Sequence, residues 1–525
     1  MPVDSILCSP TGAEGATNQS IKIIMLTYIH TFKTNGVEAV PVTVETEISN
    51  GIGIHLVGLA DEAVKESLLR TVTALQSLGY RIPGKRIVIN IAPAELVKRG
   101  CGFDLPIALG IISASEQESL PDREKYIIAG ELGLDGSLRD IPGWMQAAEL
   151  AKESGKACIL PTESAKLAAR ALGDAVKIYG ADDLQEVIDI LNDGAPDWTA
   201  QDECDNLQTK DEEVVHFWDD IRGNATAKRA LEIAAAGNLP ILLMGVPGSG
   251  KMALAQALRE ILPPMSEEES KEVQRIYSSA SKRIAPGLRP FRAPHPFSSI
   301  AAMFGGTGGC LPGEVSFAHN GVLCIDQCAE MPKAAWEYLR VPLEDKKVVL
   351  SRLKRTVTYP ANPLLVLTTN PCPCGYYGDG DRCTCTVGQR TAYLNHLQGP
   401  VMDHVMLHVW TQPESDSSVV AGDTAKVVSA RVHKAREIQM RRQGKLNNEL
   451  SATEIANAVC TNTADGRSIA EFTENLMMKL GLSTRSYTRI LKIARTIADL
   501  EGYPIVLPSH LGEAASFRFL DRSLQ

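Results

Sequence analysis

The stretch that most constrains this chain is the octapeptide Gly245-Val246-Pro247-Gly248-Ser249-Gly250-Lys251-Met252. An apolar run at 241–244 precedes it and is typical of a buried parallel strand, and residues 253–262 favour a helix. A strand, a glycine-rich turn, a lysine and a helix form a P-loop, whose backbone N–H groups and helix N-terminus surround a β-phosphate. Lys251 would reach the β- and γ-phosphates. The alternative is a glycine-rich turn with a solvated lysine.

One position of the loop departs from this pattern. The residue after the lysine normally places a hydroxyl on Mg²⁺. Here it is Met252, whose soft thioether is a poor ligand for a hard cation. The sequence therefore predicts a loop that can still hold phosphate but binds the metal weakly.

Two later apolar runs end in polar residues and predict strands of one parallel sheet, with the site at their carboxyl ends. Asp326 follows the first run and fits the Mg²⁺-binding acid of an NTPase. The next position would carry the glutamate that activates water, but Gln327 cannot take a proton. Asn370 follows the second run and can position water or contact the γ-phosphate. The alternatives are an ordinary strand end and a turn residue.

Four cysteines are clustered in a segment rich in glycine and aspartate, which predicts a surface loop. Cys372, Cys374, Cys383 and Cys385 form two Cys-x-Cys pairs separated by eight residues. Four thiols suit tetrahedral Zn²⁺, although Cys-x-x-Cys is the more usual spacing. Structural zinc and free or loop-packed thiols both remain open.

Basic residues form two further clusters. The first surrounds an apolar run at 348–350 and comprises Lys346, Lys347, Arg352, Lys354 and Arg355. If this segment forms a hairpin that faces a ring pore, it could contact a phosphate backbone. For the second we favour a solvated helix face; it comprises Lys434, Arg436, Arg441, Arg442 and Lys445.

The chain's length and composition limit the class of protein. A chain of 525 residues is long for one core and suggests about three to four domains. The formal net charge of −10 argues against a generally basic nucleic-acid binder but leaves room for a local basic channel. Twelve cysteines without a secretory pattern indicate a reducing cytosol. No run of the sequence is apolar enough to span a membrane.

Changes in composition divide the chain into five parts. Met25 opens the first organised segment, so an internal start codon is an alternative to a longer native chain. Residues 127–132 are interpreted as one strand of that segment. The parts are a disordered extension (1–24), a mixed α/β segment (25–192), an acidic linker (193–214), a P-loop core with a parallel sheet (215–412) and a helical domain (413–525).

Several motifs occur in order: Ile221-Arg222-Gly223, the P-loop, Phe291-Arg292-Ala293-Pro294-His295, Gly313-Glu314-Val315-Ser316, Asn370-Pro371-Cys372-Pro373-Cys374-Gly375 and Leu482-Ser483-Thr484-Arg485. Together they resemble the ComM/YifB family, AAA+ proteins related to the magnesium-chelatase ATPase subunit. The resemblance covers nearly everything after Met25. It implies an α/β fold, in which an AAA+ core with a parallel sheet is followed by a helical lid.

The N-terminal segment is similar to the family's Lon-protease-like α+β domain, through Asn90-Ile91-Ala92-Pro93-Ala94 and Gly102-Phe103-Asp104-Leu105-Pro106. No serine nucleophile stands in the turn at 100–106. Trp144-Met145 occupies the place where a lysine would be expected. Peptidase activity is therefore not implied.

The resemblance also implies roles for single residues and an assembly. Lys251 binds phosphate, Asp326 binds Mg²⁺, Asn370 is the first sensor and Arg485 the second; His404 stands where an arginine finger would serve the neighbouring subunit. The implied assembly is a hexameric, ATP-driven motor acting on DNA, with branch-migration helicase activity in natural transformation known for ComM members.

Three departures fall on the hydrolytic machinery: Met252, Gln327 and His404. We therefore expect a cytoplasmic protein that binds ATP, forms a ring alone or with an active relative, and has impaired hydrolysis. A working helicase is the first alternative, with Glu330 as base and Arg340 acting in trans. The second alternative is a scaffold that no longer binds nucleotide.

Overall fold

A computed structural model describes residues 25–523, except for 59–61, 94–101, 193–199, 201–216, 307–308, 353–354, 398–400, 413–421, 460–470, 474, 476–477 and 479–483. The predicted disordered extension and all of the predicted acidic linker except residue 200 lie outside the described residues. Within the described part, no helix is both long and apolar enough to cross a bilayer.

The N-terminal segment packs helices on two sheets. A four-stranded sheet has the order β1-β2-β4-β3, and a three-stranded parallel sheet has the order β5-β8-β9. Their alternating or continuous apolar residues bury one or both faces of each sheet. The elements are β1 (Met25–Asn35), β2 (Glu38–Ser49), β3 (Gly53–Val57), α1 (Glu62–Ser77), β4 (Arg86–Ala92), α2 (Asp104–Ala114), β5 (Tyr126–Ile128), β6 (Glu131–Leu132), β7 (Leu138–Arg139), α3 (Trp144–Glu153), β8 (Ala157–Pro161), α4 (Thr162–Leu172), β9 (Ile178–Ala181) and α5 (Leu184–Asn192).

The prediction of one strand over 127–132 was wrong. β5 pairs with β8, whereas β6 turns back onto β7 in a separate hairpin. The break falls at Gly130, where an added Cβ would lie 3.1 Å from Leu138 Cδ2 and 3.3 Å from Leu105 Cδ2. The chain therefore changes sheets at a glycine that lies close to the Leu105 and Leu138 side chains.

The core contains the predicted parallel sheet, with five strands in the order β11-β12-β15-β10-β16. Its central strands are buried on both faces, which explains their continuous apolar runs. The elements are α6 (Phe217–Asp220), α7 (Ala225–Gly237), β10 (Ile241–Gly245), α8 (Lys251–Ile261), α9 (Glu267–Ser278), β11 (Phe291–Arg292), α10 (Ile300–Phe304), α11 (Glu314–Phe317), β12 (Val322–Ile325), α12 (Lys333–Asp345), β13 (Lys347–Arg352), β14 (Arg355–Pro360), β15 (Leu364–Thr369), α13 (Val387–Asn395) and β16 (Leu407–Thr411).

The C-terminal part is helical and packs on the core. One apolar cluster joins α7, α8 and the strand β10 to the C-terminal helices. These helices are α14 (Ala425–Gln443), α15 (Ala452–Val459), α16 (Thr484–Glu501), α17 (Pro508–Ser516) and α18 (Leu520–Ser523).

The N-terminal segment contacts the core through α3 and α9. The Glu149 carboxylate accepts hydrogen bonds from Arg275 Nε and Nη2, the latter at 2.7 Å. Trp144 and Met145, which stand at the position of the missing lysine, are buried in this segment's apolar core. The backbone N–H of Met145 donates to Ser278 Oγ at 3.0 Å. The two residues therefore have a packing role in this fold.

Candidate nucleotide-binding site

The P-loop lies between the central strand β10 and the helix α8. At Gly245 an added Cβ would lie 2.1 Å from Thr411 Oγ1, so any side chain would collide with β16. Gly248 and Gly250 have φ of +82° and +79°, a region that favours glycine. The loop therefore takes the tight, exposed turn that the sequence predicted between a buried strand and a helix.

The Lys251 ammonium lies within this loop. Its Nζ donates to the Gly245 carbonyl at 2.7 Å, the Val246 carbonyl at 3.0 Å and Asn370 Oδ1 at 3.3 Å. Burial lowers the pKa of Lys251, and the nearby Asp326 carboxylate opposes that shift. The structure thus brings together the lysine and the strand-end asparagine, although 119 residues separate them.

The residues present fit Mg²⁺ only in part. Asp326 supplies a carboxylate at the end of β12 and accepts a short hydrogen bond from Thr368 Oγ1. Met252 supplies sulfur, and its Sδ lies 4.0 Å from Cys324 Sγ at the edge of the apolar core. The Ser249 hydroxyl is buried and hydrogen-bonded to Thr411 Oγ1 at 2.7 Å. Because Mg²⁺ prefers oxygen ligands, this donor set can retain the ion through Asp326, water and phosphate, but weakly.

Gln327 directly follows Asp326, where the sequence analysis expects a general base. Its backbone has φ of +47°, and its N–H donates to Thr368 Oγ1 at 3.3 Å while the residue remains exposed. Glu330, the alternative base, lies on a cavity of about 920 Å³ whose described lining includes none of residues 245–252. The geometry therefore gives Glu330 no described contact with the phosphate loop.

His404, which stands where the resemblance implies an arginine finger, and Arg340, the residue considered as its substitute, both lie near one carboxylate. His404 Nε2 lies 3.6 Å from Glu344 Oε1, and Arg340 Nε lies 3.8 Å from the same atom. The adjacent Asp403 accepts a hydrogen bond from Arg489 Nη2 of α16 at 2.9 Å. Arg485 lies in α16, but its side chain is outside the described residues.

The four clustered cysteines converge as the metal hypothesis requires. Their sulfur atoms all lie within 4.8 Å of one another. The Sγ of Cys372 is 3.3 Å from that of Cys374 and 3.8 Å from that of Cys383. Four sulfurs bound to Zn²⁺ at about 2.3 Å lie about 3.8 Å apart in a tetrahedron. This spacing suits a metal and is far longer than a disulfide bond of about 2.05 Å.

The electrostatics of the cluster also favour a thiolate. The backbone N–H of Tyr376 lowers the pKa of the Cys374 thiol to about 6. Burial raises the pKa of Cys372 to about 12. A metal ligand must be deprotonated, and the lowered pKa of Cys374 favours that form.

The first basic cluster does form a hairpin. β13 and β14 pair antiparallel from Lys347 opposite Pro360 to Arg352 opposite Arg355. Lys347 and Arg352 are exposed, while Lys346 forms an ion pair with Glu449. Lys354 and the side chain of Arg355 lie outside the described residues.

The prediction of a solvated face for the second cluster was partly wrong. Arg436 Nη2 donates to the Ala235 carbonyl at 2.6 Å, near the end of α7. Arg442 pairs with the buried Asp499, and Lys445 pairs with Glu454. The last carbonyls of a helix lack intrahelical partners, and Arg436 satisfies one of them. Lys434 and Arg441 are exposed, as predicted.

Three residues that organise the site were not predicted from the sequence. Thr368 contacts both Asp326 and Gln327, and Thr411 contacts Ser249. Asn224 Nδ2 donates to the Gln412 carbonyl at 3.0 Å, beside the P-loop. For the two threonines, the available signal was a polar residue at the end of a buried strand. Thr368 lies in the polar end of the run that leads to Asn370.

Comparison with known proteins assigns the whole chain to one family. The family model "Magnesium chelatase, subunit ChlI" matches residues 217–419, "Subunit ChlI of Mg-chelatase" matches 44–164, and "Magnesium chelatase, subunit ChlI C-terminal" matches 422–518. The chain is 40% identical over 511 residues to the protein YifB of Salmonella typhimurium, covering 95% of this chain and 98% of the relative. It is 37% identical over 519 residues to the competence protein ComM of Haemophilus influenzae, covering 95% of this chain and 99% of the relative. The chain belongs to the ComM/YifB family.

A third relative is YifB of Escherichia coli K12, which is 39% identical over 507 residues, covering 95% of this chain and 98% of the relative. Membership of the ComM/YifB family confirms the resemblance stated from the motifs. The P-loop, Asp326, Asn370 and His404 all fall within the part that matches the magnesium chelatase model.

Proposed function

We propose that this chain binds ATP at the P-loop of an AAA+ core, assembles into a hexameric ring acting on DNA, and hydrolyses ATP slowly or not at all. The N-terminal segment is a Lon-protease-like domain without peptidase activity, and the helices after residue 413 form the lid. The cytoplasm is its compartment. The observation that carries the proposal is the intact contact of Lys251 with Asn370 beside the altered Met252 and Gln327.

The rate contributions that such groups typically make support impaired hydrolysis. An arginine finger contributes about 10³–10⁵ in rate, and a positioned general base about 10²–10⁴. These effects are not additive. Even so, a loss of about 10⁵ from a rate of about 1 s⁻¹ leaves about one turnover per day.

We expect the full-length protein to bind ATP but to release phosphate far more slowly than about 1 s⁻¹, with or without DNA. ATP binding should persist in EDTA, because Lys251 and the loop N–H groups hold phosphate without the metal. Titration with a fluorescent ATP analogue, with Mg²⁺ and with EDTA, measures binding, and phosphate release measures turnover.

Lys251→Ala is the matched control and should lose ATP binding. Phosphate release by the parent near about 1 s⁻¹ would support the working helicase. Absence of ATP binding in both buffers would support the scaffold, which Met252 motivates.

The hairpin β13–β14 is proposed as the DNA contact. Replacing the exposed Lys347 and Arg352 with alanine should lower DNA affinity and reduce the log–log salt slope by about 2, because each phosphate contact releases about one counterion. Replacing Lys434 and Arg441, which are exposed on α14, with alanine is the control. It should change neither the DNA affinity nor the salt slope. Equal DNA affinity of the parent and the hairpin variant, measured over a salt series, would exclude the hairpin as the contact.

The cysteine cluster is proposed to hold structural Zn²⁺. Cys372, Cys374, Cys383 and Cys385 supply four sulfurs at tetrahedral spacing, and the ion would hold the loop as one unit. We expect about one zinc per chain after passage over a weak chelating resin, measured by elemental analysis. Protein that is folded but free of zinc after this treatment would favour free thiols.

A further inference from the structure

The cysteine loop is physically continuous with the nucleotide site. It leaves the sheet at Asn370, whose Oδ1 accepts from Lys251, and the first cysteine follows two residues later. Cys372 is fully buried, and its carbonyl accepts from the Gly375 N–H at 2.9 Å. A displacement of Cys372 would therefore be transmitted to Asn370 through one intervening residue.

The same loop also packs on the P-loop itself. A Cβ added at Gly375 would lie 3.0 Å from Pro247 Cγ, at a φ of +88° that disfavours other residues. The backbone of the cysteine loop thus lies directly against the exposed turn of the phosphate cradle. Pro247 is otherwise exposed at this turn, so Gly375 is a close neighbour of its ring.

A third contact places the loop against the neighbouring strand. Tyr377 meets Trp410 edge-on, with ring centroids 6.5 Å apart, and Gly378 approaches Trp410 Cζ2 so closely that an added Cβ would lie 3.0 Å away. Trp410 lies on β16 opposite Met244 of β10, the strand that leads into the P-loop. The loop therefore contacts both the turn of the P-loop and the strand that flanks β10.

The loop has little apolar material with which to maintain this position. Cys374, Cys383 and Cys385 are only partly buried, and glycines recur between them. Small units without a sufficient core commonly depend on a metal for their structure.

We propose that the metal-bound cysteine loop forms a wall of the ATP site, so that loss of its zinc weakens ATP binding by releasing Pro247 and Asn370. The inference rests on the proposed ATP and zinc binding. If it holds, ATP affinity depends on zinc occupancy. Agents that oxidise the cysteine thiolates or extract the zinc would then regulate ATP binding.

The test uses the full-length protein and a fluorescent ATP analogue. Zinc is removed with a strong chelator, the chelator is dialysed away and Mg²⁺ is restored before titration. Cys383→Ser with Cys385→Ser removes two ligands genetically. We expect both zinc-free forms to bind the analogue about tenfold more weakly or worse, and re-addition of zinc to restore affinity in the chelated parent only.

Two further variants distinguish the effect of the contact between Gly375 and Pro247 from the effect of the zinc ion. Gly375→Ala should retain zinc and still lose about tenfold in ATP affinity, because its Cβ displaces Pro247. Cys158→Ala removes a buried thiol of the N-terminal segment, far from the cluster in sequence, and should leave both zinc content and ATP affinity unchanged.

The possible failures are distinguishable. A zinc-loaded parent that does not bind the analogue contradicts the proposed ATP site, and a parent without zinc contradicts the proposed metal. Zinc-free protein that remains folded by circular dichroism and binds the analogue within about twofold of the parent overturns the coupling. Unchanged ATP affinity in Gly375→Ala overturns it even if the serine variant fails to fold.

Discussion

Replacing Met252 with threonine, Gln327 with glutamate and His404 with arginine in one chain is expected to raise ATP hydrolysis by at least about 10²-fold, with an upper range near about 10⁵. Each change returns one missing function: a hydroxyl for Mg²⁺, a base for the attacking water and a cation for the transferred phosphate. The gain should exceed that of any single change, because residues acting as a unit are non-additive.

The structure supports this expectation at each position. Residue 252 lies in the first turn of α8, directly after Lys251. Residue 327 is exposed next to Asp326, with its N–H held by Thr368. Residue 404 is partly exposed and lies near Glu344, which could pair with an introduced arginine. The new side chains therefore enter positions with room to accommodate them.

Steady-state phosphate release, with and without DNA, measures the effect. The same triple variant carrying Lys251→Ala is the control and should remain at the parent's rate, since without phosphate binding the other groups have no substrate. A triple variant that binds ATP as tightly as the parent but shows no gain in phosphate release would contradict the proposal that residues 252, 327 and 404 impair hydrolysis.

Replacing Asp499 with alanine is expected to destabilise the C-terminal helices by about 3–5 kcal/mol, because it leaves buried positive charge uncompensated. Asp499 is 2% exposed and accepts from Arg442 Nη1 at 2.5 Å, Arg495 Nη2 at 2.9 Å and Asn447 Nδ2 at 2.9 Å. Arg495 is itself only 1% exposed. The carboxylate therefore connects α14, the turn at 447 and α16.

Hydrogen exchange of the amides in α16 measures this loss locally, which avoids the assumption that a chain of several domains unfolds in one step. Glu437→Ala is the matched control. Its carboxylate is exposed and contacts only His433 four residues before it among the ion pairs of the described residues, so we expect a change of no more than about 0.5 kcal/mol. Equal protection of α16 in Asp499→Ala and the parent would show that the two arginines find other partners.

The sequence was most informative where structure is encoded locally. Continuous apolar runs predicted the buried strands β10, β12 and β15, and glycines predicted the P-loop turn. These features depend on the periodicity and backbone freedom of neighbouring residues. Boundaries were less reliable, as the division of residues 127–132 between two sheets shows, because sheet membership depends on partners distant in sequence.

The tertiary structure alone decided which of these groups meet. The sequence determined that the chain has a phosphate loop, four clustered thiols and altered residues at 252, 327 and 404. Only the strand order, with β15 between β10 and β12, places Asn370 on Lys251 and Thr368 on Asp326. Likewise, only the fold shows that Arg436 satisfies the end of α7 and that the cysteine loop packs on Pro247. The physical reason is that local propensity is set by adjacent residues, whereas these contacts depend on long-range packing of the whole sheet.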